Sequence, residues 1–333
     1  MVAERYFITG ATGLVGSYIT RKLVSEGKEV HALKRKDSSL ELVEDIANQI
    51  TWIEGDILDV SLLFEILPQM TYVVHTAAAV SMLPKDKEKV FKINIEGTTN
   101  MVNASLNSSI KKFCHVSSVA AIGVPENVVL INEKVKWNED NTNFIYAKSK
   151  HFAEMEVWRG IAEGLSAVIV NPSTVLGVSP LDKSSGQIFN RLQKGIRFYP
   201  KGKINLVDAS DVAEIVYRLL HYEVSNERFI LNAGSITYKD FFTKVAQVFG
   251  KPAPKYALSQ SVLSIAHFLS QLASLLGITQ TVLPKEIISA MQSTHTYDNK
   301  KITDLLHFKF KDLNESIKEV SEKYKEIKYK EMR

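Results

Sequence analysis

The chain has 333 residues, 45% of them hydrophobic and 23% charged, an ordinary globular mix long enough for one large domain or two. A net charge of +4 and a pI near 8.8 are only mildly basic, and the lysines are spread along the chain except near its end, so nothing points to nucleic acid. One cysteine, Cys114, excludes an internal disulfide and suits a reducing cytoplasm. It sits in the apolar run Lys112-Phe113-Cys114-His115-Val116 and reads as a buried structural thiol. The first strand starts almost at residue 1, leaving no room for a signal peptide, so a soluble cytoplasmic protein is expected.

Apolar runs alternate with helical patterns from the start. Strands are predicted at Tyr6–Thr9, Glu29–Leu33, Ile50–Glu54, Tyr72–Thr76, Lys112–Ser117 and Ser166–Asn171. Helices are predicted between them at Leu14–Glu26, Leu62–Leu67, Lys89–Leu106 and Phe144–Glu163. Repeated strand–helix–strand units with apolar strands imply an α/β fold, a doubly wound parallel sheet of the Rossmann kind with helices on both faces. Ligands of such sheets lie at the carboxyl ends of the strands, so the residues ending each strand are the candidates for chemistry.

The first strand runs into Gly10, Gly13 and Gly16, spaced three apart, and then into a helix. Gly10 suits a tight turn, Gly13 a close approach of backbone to phosphate, and Gly16 close packing of the helix. The free N–H groups of the helix start favour an anion, so Gly10, Thr12, Gly13, Leu14 and Val15 are candidates to hold a dinucleotide pyrophosphate. The second strand ends at Leu33 and bases follow: Lys34, Arg35 and Lys36. Many NAD-binding chains place an acid about 20 residues beyond the glycines to hold the ribose 2′-hydroxyl. Bases there instead favour a 2′-phosphate, with Arg35 as its bidentate partner, and hence NADP; the alternative is a solvated loop. After the third strand, Asp56 and the backbone of Ile57 can accept from an adenine amino group, while Asp59 or Ser61 can cap the next helix. Thr76, Ala77 and Ala78 end the fourth strand with small side chains that let a flat cofactor pass. His75 has no second histidine or acid at ligand spacing and reads as a packed side chain, not a metal ligand.

The catalytic candidates are Ser118, after the fifth strand, with Tyr146 and Lys150 on the following long helix. Tyr146 and Lys150 are four apart and share one face. A phenol with a pKa near 10 exchanges protons poorly at neutral pH, and a neighbouring cation favours its phenolate. Ser118 can hold a substrate oxygen while Tyr146 gives or takes its proton.

These residues together resemble the extended short-chain dehydrogenase/reductase superfamily, of the NAD-dependent epimerase/dehydratase type. The resemblance runs over nearly the whole chain: the three glycines, Asp56 in GDILD, His75-x-Ala77-Ala78, Asn94 in NIEGT, Ser118, Tyr146-xxx-Lys150 and Asn171-Pro172. It implies that Asn94 belongs to the cofactor site, that Lys150 also holds the nicotinamide ribose, and that Pro172 and Ser173 support the nicotinamide ring. Trp137 in KVKWNED and the NPSTVLG run look most like the dihydroflavonol 4-reductase and 3β-hydroxysteroid dehydrogenase branch, and the tail residues Tyr297-Asp298-Asn299-Lys300-Lys301 with Leu305–Phe308 look like that branch and related sugar epimerases. Two departures separate the chain from sugar-nucleotide enzymes. Val119 and Ala120 stand where the dehydratases carry an Asp-Glu pair, and no arginine precedes Asp211, where epimerases hold a diphosphate. Lys201 or Lys203 could substitute only as point charges.

Residues 1–175 are expected to form the cofactor domain, with 204–232 returning to it; 176–203 and 233–310 form a smaller, mostly helical substrate part, and 311–333 a charged terminal helix. Ser179–Gly186 reads as a mobile loop, and Asp211–Tyr222 as a helix back on the cofactor domain. Ser259–Leu276 carries an apolar stripe that is core, a lid over an apolar substrate, or a peripheral membrane face; polar interruptions argue against a span. The last helix, Asn314–Lys330, alternates Lys and Glu and reads as a solvated face. The functional reading is an NADP-dependent oxidoreductase acting on a carbonyl or secondary hydroxyl. The alternatives are a nucleotide-sugar epimerase holding NAD and a non-catalytic NADP sensor. The resemblance also implies a homodimer through Lys89–Leu106 and Phe144–Glu163.

Overall fold

The computed structural model describes residues 4–81, 83–125, 128–138, 144–182, 185–259, 262–263 and 285–331. Its centre is a seven-stranded parallel sheet of β1 (Arg5–Thr9), β2 (Glu29–Lys34), β3 (Ile50–Glu54), β4 (Tyr72–His75), β5 (Lys112–Val116), β7 (Ala167–Pro172) and β11 (Glu227–Leu231). The spatial order is β3-β2-β1-β4-β5-β7-β11, and every neighbouring pair is parallel. Successive side chains point to opposite faces, so apolar residues serve two cores. Ile8, Val74, Cys114 and Val170 pack toward α1 (Leu14–Ser25) and α7 (Ala209–His221). Phe7, Val73, Phe113 and Ile169 pack on the other face against α4 (Gly97–Leu106) and α5 (Ile145–Ala162), beside the short α2 (Val60–Ile66). Strand order reverses between β1 and β4, opening a crevice at their carboxyl ends.

The expected helix Lys89–Leu106 is broken. It comprises α3 (Lys87–Phe91), a π-helical turn over Lys92–Glu96, and α4. Such turns insert an extra residue and re-aim the side chains within them. Asn94 lies inside this one, buried.

The second core is not only helical. A three-stranded sheet orders β12 (Gly234–Thr237), β10 (Lys203–Asp208) and β8 (Thr174–Leu176), and two-stranded sheets pair β13 (Tyr256–Leu258) with β9 (Phe198–Pro200) and β14 (Thr296–Tyr297) with β6 (Leu130–Ile131). Thus 203–208 joins this smaller sheet, whereas α7 and β11 return to the large one. Helices α6 (Gly186–Gln193) and α8 (Tyr238–Val248) build this core with the terminal helix Leu313–Glu331. That terminal helix is not a solvated face. Ile317, Val320 and Tyr324 are buried against Phe189 and Phe241, because every third or fourth residue between the Lys and Glu is apolar. Tyr324 also fastens the start of the loop read as mobile. Its hydroxyl accepts from the Ser179 backbone N–H at 2.9 Å and donates to the Gly177 carbonyl at 3.2 Å. Most of the Ser259–Leu276 stripe lies outside the described residues. No helix among the described residues is long and apolar enough to cross a membrane.

Candidate active site

The turn after β1 is built from glycines whose space is already taken. Gly10 has φ +73°, and a Cβ there would lie 2.5 Å from Thr76 Oγ1 and 2.7 Å from the Ala77 nitrogen. A Cβ on Gly16 would lie 2.0 Å from the Gly10 carbonyl oxygen, so β1, the turn, α1 and the β4 end close on one another. Gly13 differs. A Cβ there would meet only the Gly10 oxygen, at 3.3 Å, and would otherwise face open space. Gly13 is also the N-cap of α1 and supplies no side-chain acceptor, so the partly exposed first turn, with Thr12, Leu14 and Val15, keeps its N–H groups for a ligand. The residues present therefore fit a dinucleotide pyrophosphate.

Across the crevice, Thr76 Oγ1 donates to the Thr9 carbonyl at 2.7 Å, which anchors the Ala77–Ala78 segment beside the glycine turn. His75 is buried with both ring nitrogens bonded, to Thr9 Oγ1 at 2.7 Å and Thr98 Oγ1 at 3.0 Å, and burial pulls its pKa down to about 3. It is a packed side chain. Asn94 is committed to positioning. Its Oδ1 accepts from the Ala79 N–H at 2.7 Å, and its Nδ2 donates to the Ala79 carbonyl at 3.0 Å and to Ser149 Oγ at 2.9 Å. It thus ties the segment after β4 to α5. Asp56 closes a turn by accepting from the Leu58 N–H at 3.0 Å, and Asp59 caps α2 through the Leu62 N–H at 3.1 Å. The Ile57 side chain is buried over Gly97, and its carbonyl accepts from Asn100 Nδ2 at 3.2 Å. Arg35 stands 59% exposed beyond β2, with Asp37 at 3.5 Å as its ion partner.

Ser118, Tyr146 and Lys150 come together at the end of β5. The half-buried Tyr146 is pushed up from the ordinary phenol pKa by burial, and its hydrogen bond with the Ser118 hydroxyl pulls it partly back. Ser118 Oγ also accepts from the Ala120 N–H at 3.1 Å. Lys150 is buried, donates from Nζ to the Val116 carbonyl at 2.9 Å, and has its pKa lowered to about 8, by burial first and against the charge of Glu154. Pro172 ends β7 and Ser173 follows it, next to Asn171, whose Nδ2 reaches the Ser118 carbonyl. Ser173 is buried, and its hydroxyl has no partner among the described residues, as expected of a group that meets a ligand.

The sequence reading missed the support beneath this cluster. Glu154, 2% exposed, accepts through Oε2 from Ser117 Oγ and Asn171 Nδ2, both at 2.9 Å, and pairs through Oε1 with Arg228 Nη1 at 3.0 Å. Asn171 Nδ2 also donates to the Ser118 carbonyl at 3.0 Å. Arg228 continues outward to the carbonyls of Glu133 and Val135, and so holds the segment that carries Trp137. Trp137 stacks on His151, ring centroids 4.2 Å apart and 8° from parallel. The signal for Glu154 was present: Tyr146, Lys150, Glu154 and Trp158 recur every four residues on α5, one continuous stripe.

The model of the NAD dependent epimerase/dehydratase family matches residues 6–234. The Synechocystis protein named "Putative dihydroflavonol 4-reductase" is 30% identical over 262 residues, covering 76% of this chain and 75% of that protein. The crystal structure of gox2253 superposes with a TM-score of 0.85 at 29% identity, covering 97% of this chain and 98% of that one. The Bordetella bronchiseptica enzyme WbmH, solved in complex with NAD+, shares the fold with a TM-score of 0.76 at 21% identity, covering 96% and 98%.

Proposed function

Because the chain belongs to the NAD-dependent epimerase/dehydratase family, we propose that it is an NADP-dependent oxidoreductase reducing a ketone, or oxidising the matching secondary alcohol. The observation that carries this reading is the Ser118 hydroxyl beside the Tyr146 phenol, with the buried Lys150 one turn along on the same helix face. Bound NADPH supplies the hydride. The glycine turn and the α1 first turn would hold its pyrophosphate, Arg35 its 2′-phosphate, and Pro172 and Ser173 its nicotinamide. Ser118 Oγ donates to the substrate oxygen and aligns it with Tyr146 Oη. Tyr146 then passes its proton to that oxygen as negative charge develops, and the Lys150 ammonium stabilises the phenolate left behind. Lys150 is charged below about pH 8, so the reduction is expected to slow as pH rises through that value. The resemblance to dihydroflavonol 4-reductase supports a carbonyl-bearing small molecule as substrate. A homodimer through α4 and α5 in the cytoplasm completes the reading, and Met155 stands exposed on α5.

The test is NADPH oxidation against a panel of ketones and aldehydes, with Tyr146→Phe as the control. That change keeps the ring and removes the proton, so turnover should fall about 10²–10⁴-fold while cofactor affinity barely moves. Comparable turnover in the variant would overturn the role of Tyr146. NAD retained through purification, with no ketone reduction, would move the assignment to the epimerase.

A further inference from the structure

The small sheet of β9 and β13 presents two aromatic residues to solvent. Phe198 and Tyr256 are register partners, their ring centroids are 5.7 Å apart, and they are 52% and 58% exposed. A single exposed hydrophobic residue is ordinary, but two side by side on an outer pair of strands, their rings tilted 39° to one another, form a patch. The sequence flanking each strand is one-sided in charge. Between Asp182 and Asp208 the sequence has six Lys or Arg and no acid, and between Asp240 and Glu286 it has four Lys and no acid. The whole chain, by contrast, has 41 bases and 37 acids. These two stretches are distant in sequence, and the sheet joins them: the Lys255 and Tyr256 N–H groups both donate to the Arg197 carbonyl at 3.0 Å. Lys194, Arg197, Lys201, Lys251 and Lys255 are exposed. None of the five takes part in an ion pair among the described residues.

We propose that the β9–β13 face docks the protein on an anionic phospholipid surface, with Phe198 and Tyr256 at headgroup depth and the surrounding bases against lipid phosphates. Aromatic rings with an apolar body favour that interface, and unpaired bases beside them supply the attraction to an anionic leaflet. A lipid surface fits better than an acidic macromolecule because, from Tyr256 onward, residues 256–284 contain no Asp, Glu, Lys or Arg. None of these residues belongs to the Ser118–Tyr146–Lys150 cluster, so the inference stands without the proposed reaction.

The test is co-sedimentation of the full chain with phosphatidylcholine vesicles containing about a third phosphatidylglycerol, and with vesicles of phosphatidylcholine alone. Binding is expected only to the anionic vesicles and should weaken with added salt. Arg197→Gln with Lys255→Gln should weaken it about 25-fold, since each base near an anionic leaflet contributes on the order of fivefold. Phe198→Gln with Tyr256→Gln should also weaken it, with NADPH titration unchanged in both variants. Lys318→Gln, on the terminal helix, should leave it intact. Equal sedimentation with neutral and anionic vesicles would overturn the proposal. So would tighter binding to a nucleic-acid oligomer that is lost with the charge variants and untouched by the aromatic ones.

Discussion

Arg228→Ala tests whether the cluster under Ser118 and Lys150 is held by a buried ion pair. The substitution removes the partner of a carboxylate that is 2% exposed, from an arginine that is itself only 18% exposed. It also removes donors to the Glu133 and Val135 carbonyls. Breaking a buried pair from one side costs about 3–5 kcal/mol, because the remaining charge stays buried without its counter-ion. Glu154 retains Ser117 and Asn171 at 2.9 Å and Trp158 at 3.4 Å as donors, which places the expected loss near the lower end, about 3 kcal/mol. At a urea m-value of about 3 kcal/mol/M, the unfolding midpoint should fall by about 1 M. Adding Glu154→Gln to Arg228→Ala should recover part of that loss, since it removes the stranded charge; the two effects are not additive. Urea denaturation followed by tryptophan fluorescence measures all three proteins. A midpoint shift below about 0.3 M for Arg228→Ala would refute the reasoning, since exposed pairs contribute only about 0–1 kcal/mol. So would a double variant weaker than the single one.

Gly13→Val should abolish cofactor binding with little loss of apo stability, because its Cβ meets only the Gly10 oxygen at 3.3 Å and the methyls would fill the phosphate space. A normal fluorescence titration with cofactor in that variant would contradict the loop assignment. NADPH should bind more than about tenfold tighter than NADH, a charge-assisted phosphate bond contributing roughly 1.5–3 kcal/mol. Arg35→Ala should erase that preference and leave NADH binding unchanged, and equal calorimetric affinities in the parent protein would mean that Arg35 serves the solvent and Asp37 alone. His75 and His115 are buried and neutral, with pKa values pulled down by burial, to about 3 for His75 and well below the ordinary range for His115. Their unfolded forms take up protons below about pH 6.5 while the folded forms do not, so stability falls with decreasing pH by about 1.4 kcal/mol per unit for each histidine. His115→Leu should remove one such contribution, because neither ring nitrogen has a partner among the described residues. An unchanged slope of urea midpoint between pH 6 and about pH 4.5 would show that His115 does not titrate in this way.

Local chemistry determined a good deal on its own. The strands of the large sheet were legible because they are short apolar runs between turn signals, and β3 begins and ends where the sequence placed it, at Ile50 and Glu54. The glycine turn was legible because Gly10 needs a positive φ and Gly16 has no room for a Cβ, constraints that act within a few residues. Tyr146 and Lys150 share a face by helical spacing alone. Other features depend on residues that only folding brings together. Glu154 and Arg228 are 74 residues apart, and nothing near Arg228 announces its partner. Asn94 stands in the sequence with no sign of its partners, and the π-helical turn aims it at Ala79 and Ser149. The terminal helix reads as solvated because charge dominates its composition, yet Tyr324 is fully buried against Phe189, their ring centroids 4.6 Å apart. The basic face escaped notice because +4 averages over the whole chain, while β9 and β13 join two acid-free stretches. Backbone preference and hydrophobic period act over one or two turns of chain, so sequence order carries them. Burial, pairing and local potential are sums over spatial neighbours, which the tertiary structure alone selects.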